Sequence, residues 1–154
     1  MTVRVYECDA SEAQKLKKLL AYDPYLDSNL IPKTREVDEK ELARMSPEEK
    51  KKLDEQDAAA RAASEKLRND PMMNVIFARQ DTDFREGGAL GLDGGKYYLY
   101  VKATDEFLKL ADEKLAKEFK SVKRADPEVE KKFIALKEDE ESKANAGFGA
   151  IFGG

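Results

Sequence analysis

The sequence predicts an α+β fold, a two-layer sandwich of one sheet backed by helices. Three observations carry that prediction. Lys96-Tyr97-Tyr98-Leu99-Tyr100-Val101-Lys102 is dense in aromatic and β-branched residues, the composition of a strand. Phe107, Leu108, Ala111, Leu115 and Phe119 recur at helical spacing directly after it. Strand-like and helix-like stretches then alternate along the 154 residues in an order that one sheet can accommodate.

The elements follow in order. Val3 and Val5 alternate with Thr2 and Arg4, which predicts a short first strand over 2–5. Ser11, with Gln14 three residues on, reads as a capping box for a helix carrying Leu16, Leu19 and Leu20, and Asp23-Pro24 ends it. Residues 24–45 hold a compact apolar group, Tyr25, Leu26, Leu30 and Ile31, which Pro32 keeps out of a regular helix. A short helix is expected over 36–44. Ser46-Pro47-Glu48-Glu49 is a stronger start signal, with an N-cap, a proline in the first turn and an acidic third position. That helix is expected to run to Asn69, before Asp70-Pro71. Residues 74–84 read as extended, and the glycines at 87, 88, 91, 94 and 95 read as a turn-rich connection to the strand at 96–102. Thr104 caps the helix that follows, a short edge strand is expected over 121–124, and Asp126-Pro127 opens a last helix anchored by Val129, Phe133, Ile134 and Leu136. The run Glu138–Glu141 opposes the helix dipole if the helix ends there, which predicts fraying.

With the helical insertion at 33–70 set aside, the order is β-α-β-β-α-β, which is the ferredoxin-like order. The expected organisation is a ferredoxin-like α+β domain over 1–125 including that insertion, a charged C-terminal helix over 126–144, and an apolar glycine-rich tail over 145–154.

Composition narrows the function. With 28 basic and 32 acidic residues the net charge is -4, which argues against duplex DNA as the partner. There is no histidine, which removes the usual neutral-pH acid-base group, every histidine-containing triad and the commonest metal ligand. No thiolate cluster or EF-hand loop is present, so no metal, cofactor or catalytic residue is assigned. The lone Cys8 cannot form an internal disulfide, and the chain opens without an apolar signal segment; a cytoplasmic protein with no membrane insertion is expected. The glycines at 87–95 do not spell a phosphate-binding loop.

Three functional classes follow. The first is a non-catalytic accessory or adaptor protein that binds a larger protein or ribonucleoprotein assembly, with a homo-oligomer as a further candidate. Its expected anchors are Phe148, Ile151 and Phe152 in an uncharged tail, with Gly147 and Gly149 allowing close backbone approach. Leu53, Ala60 and Leu67, at seven-residue spacing on the second helix, are a second expected contact stripe. The second class is a ribosome- or RNA-associated factor. Tyr98 and Tyr100 would share one strand face as stacking rings, with Lys96, Lys102, Lys123 and Arg124 nearby. The third is a small-ligand enzyme using Arg79, Asp81, Asp83 and Arg85, against the plainer reading of these residues as an ion-pair ladder.

Overall fold

Thr2–Asp9 forms β1, followed by a 3-10 turn over Ala10–Glu12 and α1 over Ala13–Ala21. A 3-10 turn at Pro24–Leu26 precedes α2, Glu39–Arg44, and α3, Pro47–Arg68. After a further 3-10 turn at Phe77–Arg79 come β2, Asp81–Glu86, and β3, Lys96–Ala103. The chain closes with α4, Asp105–Glu118, β4, Lys123–Arg124, and α5, Pro127–Ile151. This computed structural model describes residues 1–92 and 94–151, the side chains of Phe148, Ala150 and Ile151 excepted.

The four strands make one antiparallel sheet in the order β2-β3-β1-β4. The chain divides into two units, residues 1–21 with 77–154, and residues 22–76.

In the sheet unit, strand alternation sorts the side chains onto two faces. Tyr6, Leu99 and Val101 share the face on which Tyr6 meets α4: its hydroxyl donates to Asp112 at 2.5 Å, and Arg4 pairs with the same carboxylate. Burial pushes the Tyr6 phenol up, and the Asp112 acceptor adds to the rise. Val5, Tyr98 and Tyr100 occupy the other face and pack with Phe133 of α5. β1 is longer than the four residues its alternation predicts, because Val5 and Tyr6 are both buried, one on each covered face.

Two further expectations shift. The helix start read at Ser11 is a 3-10 turn, and no side chain caps it. Glu12 instead reaches across to accept from the backbone N–H groups of Lys120 and Ser121 and from the Ser121 hydroxyl, contacts that hold its carboxyl below the usual range. The extended stretch expected over 74–84 becomes a strand only from Asp81. Val75, Ile76 and Phe77 are buried as parts of a turn, with Phe77 set edge-on to Phe107 at 5.5 Å. A short apolar run reads the same in sequence whether it packs as a strand or as a turn.

The helical unit follows local signals closely. The Asp38 carboxylate accepts from Glu41 N–H at 2.7 Å to start α2, and the Ser46 hydroxyl accepts from Glu49 N–H at 3.2 Å to start α3. The glycine connection contains a 3-10 turn over Gly87–Leu90, and Gly91 closes it at φ 71°, a conformation that favours glycine.

The largest correction concerns the C-terminus. α5 does not end near residue 144 but continues to Ile151. Ala144, Ala146 and Ala150 are strong helix formers, and no proline interrupts them. The acidic run therefore sits mid-helix, where Asp139 pairs with Lys143 one turn on and Glu140 pairs with Arg85. No helix among the described residues is long and apolar enough to cross a membrane.

Candidate interaction surface around the C-terminal helix

α5 crosses the sheet strand by strand. Glu130 accepts from the N–H of Val5 on β1 and pairs with Arg124 on β4. Phe133, fully buried, lies 5.5 Å from the Tyr100 ring on β3. Lys137 and Glu140 reach β2. The positions 130, 133, 137 and 140 follow the three-four spacing of one helix face.

The β2 end of this contact is a four-residue charge network. Arg85 donates to both oxygens of Asp83, at 2.9 and 2.7 Å, and to both oxygens of Glu140, at 2.7 Å each. Lys137 donates to Asp83 at 3.1 Å. Burial pushes the Asp83 carboxyl up, but hydrogen bonds from Arg85 and Lys137 outweigh it and hold the group below the ordinary carboxylate range. The hydrogen bond from Arg85 likewise lowers Glu140.

The sequence-predicted residues separate on this frame. Asp81, Asp83 and Arg85 do share a strand face, opposite Lys102, Tyr100 and Tyr98. Arg79 does not join them, because it lies in the 3-10 turn before the strand. Asp83 and Arg85 are committed to each other and to α5, the arrangement of an ion-pair ladder and not of an open ligand site.

Tyr98 and Tyr100 also share a face, as expected, but they are 7 % and 4 % exposed. α5 covers the surface on which bases would stack, so neither ring is offered to RNA in this structure. Lys96 and Lys123 both pair with Glu7, at 3.3 and 3.2 Å, Lys102 is half-buried, and Arg124 pairs with Glu130.

The stripe on α3 is turned toward its own unit. Leu67 is buried beside a hollow of about 310 Å³ that Leu30, Ala63 and Met73 also line. Ala60 lines a wider one of about 850 Å³ with Ile31, Pro32, Arg61 and Arg68, and Leu53 faces Met45 and Arg35. Leu67 is thus part of the core of its own unit, with Leu30 and Met73 lining the hollow beside it.

In the tail, Gly147 is exposed and Gly149 half-buried, both in helical backbone. Among the described residues, a Cβ added at either glycine would meet nothing within 4 Å. Phe152, Gly153, Gly154 and the side chains of Phe148 and Ile151 lie outside the described residues.

Sequence reasoning took Phe133 as a core anchor but missed Lys137 and Glu140 as its partners in gripping β2. Their spacing from Phe133, four and seven residues, was the available signal. Cys8 is buried, and burial pushes its thiol up, away from nucleophilic character. Among the described residues no group of three or more acidic or thiol side chains is placed to hold a metal ion. Comparison of the chain with family models, with curated proteins and with solved structures returns no match.

Proposed function

We propose that this chain is a non-catalytic accessory or adaptor protein of the cytoplasm. It binds a larger protein assembly through its α+β body and its C-terminal tail. We assign the body to the ferredoxin-like arrangement, on the strand order β2-β3-β1-β4 and the β-α-β-β-α-β order left when residues 22–76 are set aside.

One observation carries the reading. Every residue of α5 from Glu138 to Gly147 is exposed. From Glu141 to Gly147 the helix has no hydrogen bond or salt bridge to the sheet among the described residues. It is an arm, and it ends in the uncharged sequence Gly147-Phe-Gly-Ala-Ile-Phe-Gly-Gly154. Burial of Phe148, Ile151 and Phe152 against a partner would contribute several kcal/mol before ordering costs, on the order of 2 kcal/mol for each side chain.

The test compares the intact chain with a version ending at Asn145, using quantitative partner recovery and affinity. The tail-dependent partner is expected to be lost with the truncation while thermal stability holds. Equal recovery and affinity would end the reading. Gly147→Ala with Gly149→Ala sharpens it. The pair is expected to strengthen the helix, by about 0.5–1 kcal/mol per site, yet to weaken partner binding by blocking close approach.

A further inference from the structure

The two edges of the sheet are finished differently. At the β4 edge, Val5 C=O accepts from Ala125 N–H at 2.9 Å and Val5 N–H donates to Glu130 at 3.2 Å. Asp9 N–H donates to Ser121 Oγ at 3.1 Å. That edge is stoppered by side chains and by the short β4.

The same bonds fix which way every peptide group points. Val5 faces β4, so Arg4, Tyr6 and Cys8 face β3, where they oppose Val101, Leu99 and Tyr97. Tyr98, Tyr100 and Lys102 therefore face β2, opposite Arg85, Asp83 and Asp81. The peptide groups left pointing outward are those of Thr82 and Phe84 and the N–H of Glu86, whose C=O accepts the first bond of the 3-10 turn over Gly87–Leu90. No strand and no side chain among the described residues is hydrogen-bonded to them. An edge strand of six residues, roughly 20 Å long, is a ready template for another strand.

α5 leaves the sheet over this edge. Its last sheet contact is Glu140 on Arg85, and Glu141–Ile151 continue in helix for about 16 Å. The strand edge and the helix beyond it form a shelf. Its unpaired charge is mainly acidic: Asp81, Glu138 and Glu141 are exposed and have no salt bridge among the described residues, against the half-buried Lys102 opposite Asp81, whereas Arg85 and Lys137 are neutralised by their partners. On the opposite face of β2, Phe84 is half-buried and stacked on Tyr97 at 5.4 Å, leaving an apolar flank.

We propose that the β2 edge accepts an extended segment of a partner protein in which apolar and basic residues alternate. The segment pairs its backbone with Thr82, Phe84 and the Glu86 N–H. Its apolar side chains lie beside Phe84, and its basic ones face Asp81 and the acidic turns of α5. This rests on the adaptor reading and names the chemistry of what that adaptor binds. A second copy fits less well: exposed acidic groups would meet exposed acidic groups across the edge.

The experiment measures backbone amide exchange by NMR on the full chain, alone and with two synthetic probes, the peptides Lys-Val-Lys-Val-Lys-Val-Lys and Glu-Val-Glu-Val-Glu-Val-Glu. The basic probe is expected to slow exchange at Thr82, Phe84 and Glu86, and the acidic probe to leave it unchanged. Thr82→Pro deletes one outward donor without touching the ladder to β3, and should weaken the basic probe about tenfold. Asp81→Lys with Glu138→Lys should weaken it comparably, and carries the test if the proline variant does not fold. Absence of protection at those amides, or equal binding of both probes, overturns the proposal. So does protection that appears in the protein alone as its concentration rises, with dimers in sedimentation, since the occupant is then a second copy. Failure here leaves tail-dependent partner recovery intact, so the two readings fail separately.

Discussion

The sheet unit and the helical unit are held together by different physics. In the sheet unit Val5, Leu16, Phe77, Leu99, Val101, Leu108 and Phe133 are fully buried, drawn from elements more than a hundred residues apart in the chain. In the helical unit the buried residues are Pro24, Leu67, Val75 and Ile76, while Leu26 remains 82 % exposed and Leu30 and Leu42 are also exposed. Its helices are defined by their own caps: Asp38 for α2 and Ser46 for α3. One unit is ordered by long-range burial and the other mainly by local hydrogen bonding. Core deletions should therefore dominate in the first and cap deletions should be noticeable in the second.

The strongest way to break this contrast is Phe133→Ala. The ring is fully buried against Tyr100 and Arg85, so its loss should cost about 3–5 kcal/mol in denaturant unfolding. A cost below about 1 kcal/mol would mean that α5 is not part of the core. Leu67→Ala comes next, with an expected loss of about 2–3 kcal/mol, at the low end for a buried leucine because hollows already flank it. Ser46→Ala should cost about 1 kcal/mol and raise amide exchange in the first turn of α3 alone. Spread of that effect along the whole of α3 would show that the helical unit has no other support.

The smallest effect is acid release of the clasp on β2. A carboxyl held low in the folded state contributes stability above its unfolded value and loses it as the pH falls. Asp83 lies below its ordinary 3.8, so Lys137 and Arg85 keep their grip through neutral and mildly acidic pH and lose it only below about pH 4. Exchange of the α5 amides around residues 133–140 should accelerate there before that of β1 and β3. Arg85→Gln should move this onset to higher pH, and an unmoved onset would assign acid sensitivity elsewhere.

Much of the architecture was legible because its signals are local. Ser46-Pro47-Glu48-Glu49 starts a helix wherever it occurs, Thr104 caps α4 as its position predicts, and the aromatic run at 96–102 has little alternative to a strand. The start of β2 was not legible, because Val75, Ile76 and Phe77 satisfy a strand and a packed turn equally well. The continuation of α5 was missed for a related reason. Gly147 and Gly149 each cost about 1 kcal/mol in a helix relative to alanine, so they read as a stop, whereas Ala144, Ala146 and Ala150 between and around them favour its continuation.

By itself the sequence determined the element types, the caps, the absence of histidine chemistry and the uncharged character of the tail. Tertiary structure decided which surfaces are available. Tyr98 and Tyr100 have the right spacing for a stacking face, yet α5 lies on them. Asp83 and Arg85 have the right chemistry for a ligand, yet Lys137 and Glu140 occupy them. Thr82 and Phe84 carry no sequence motif, yet their peptide groups are left without a partner among the described residues. The reason is that availability depends on what packs against a residue, and those contacts come from elements far away in the chain.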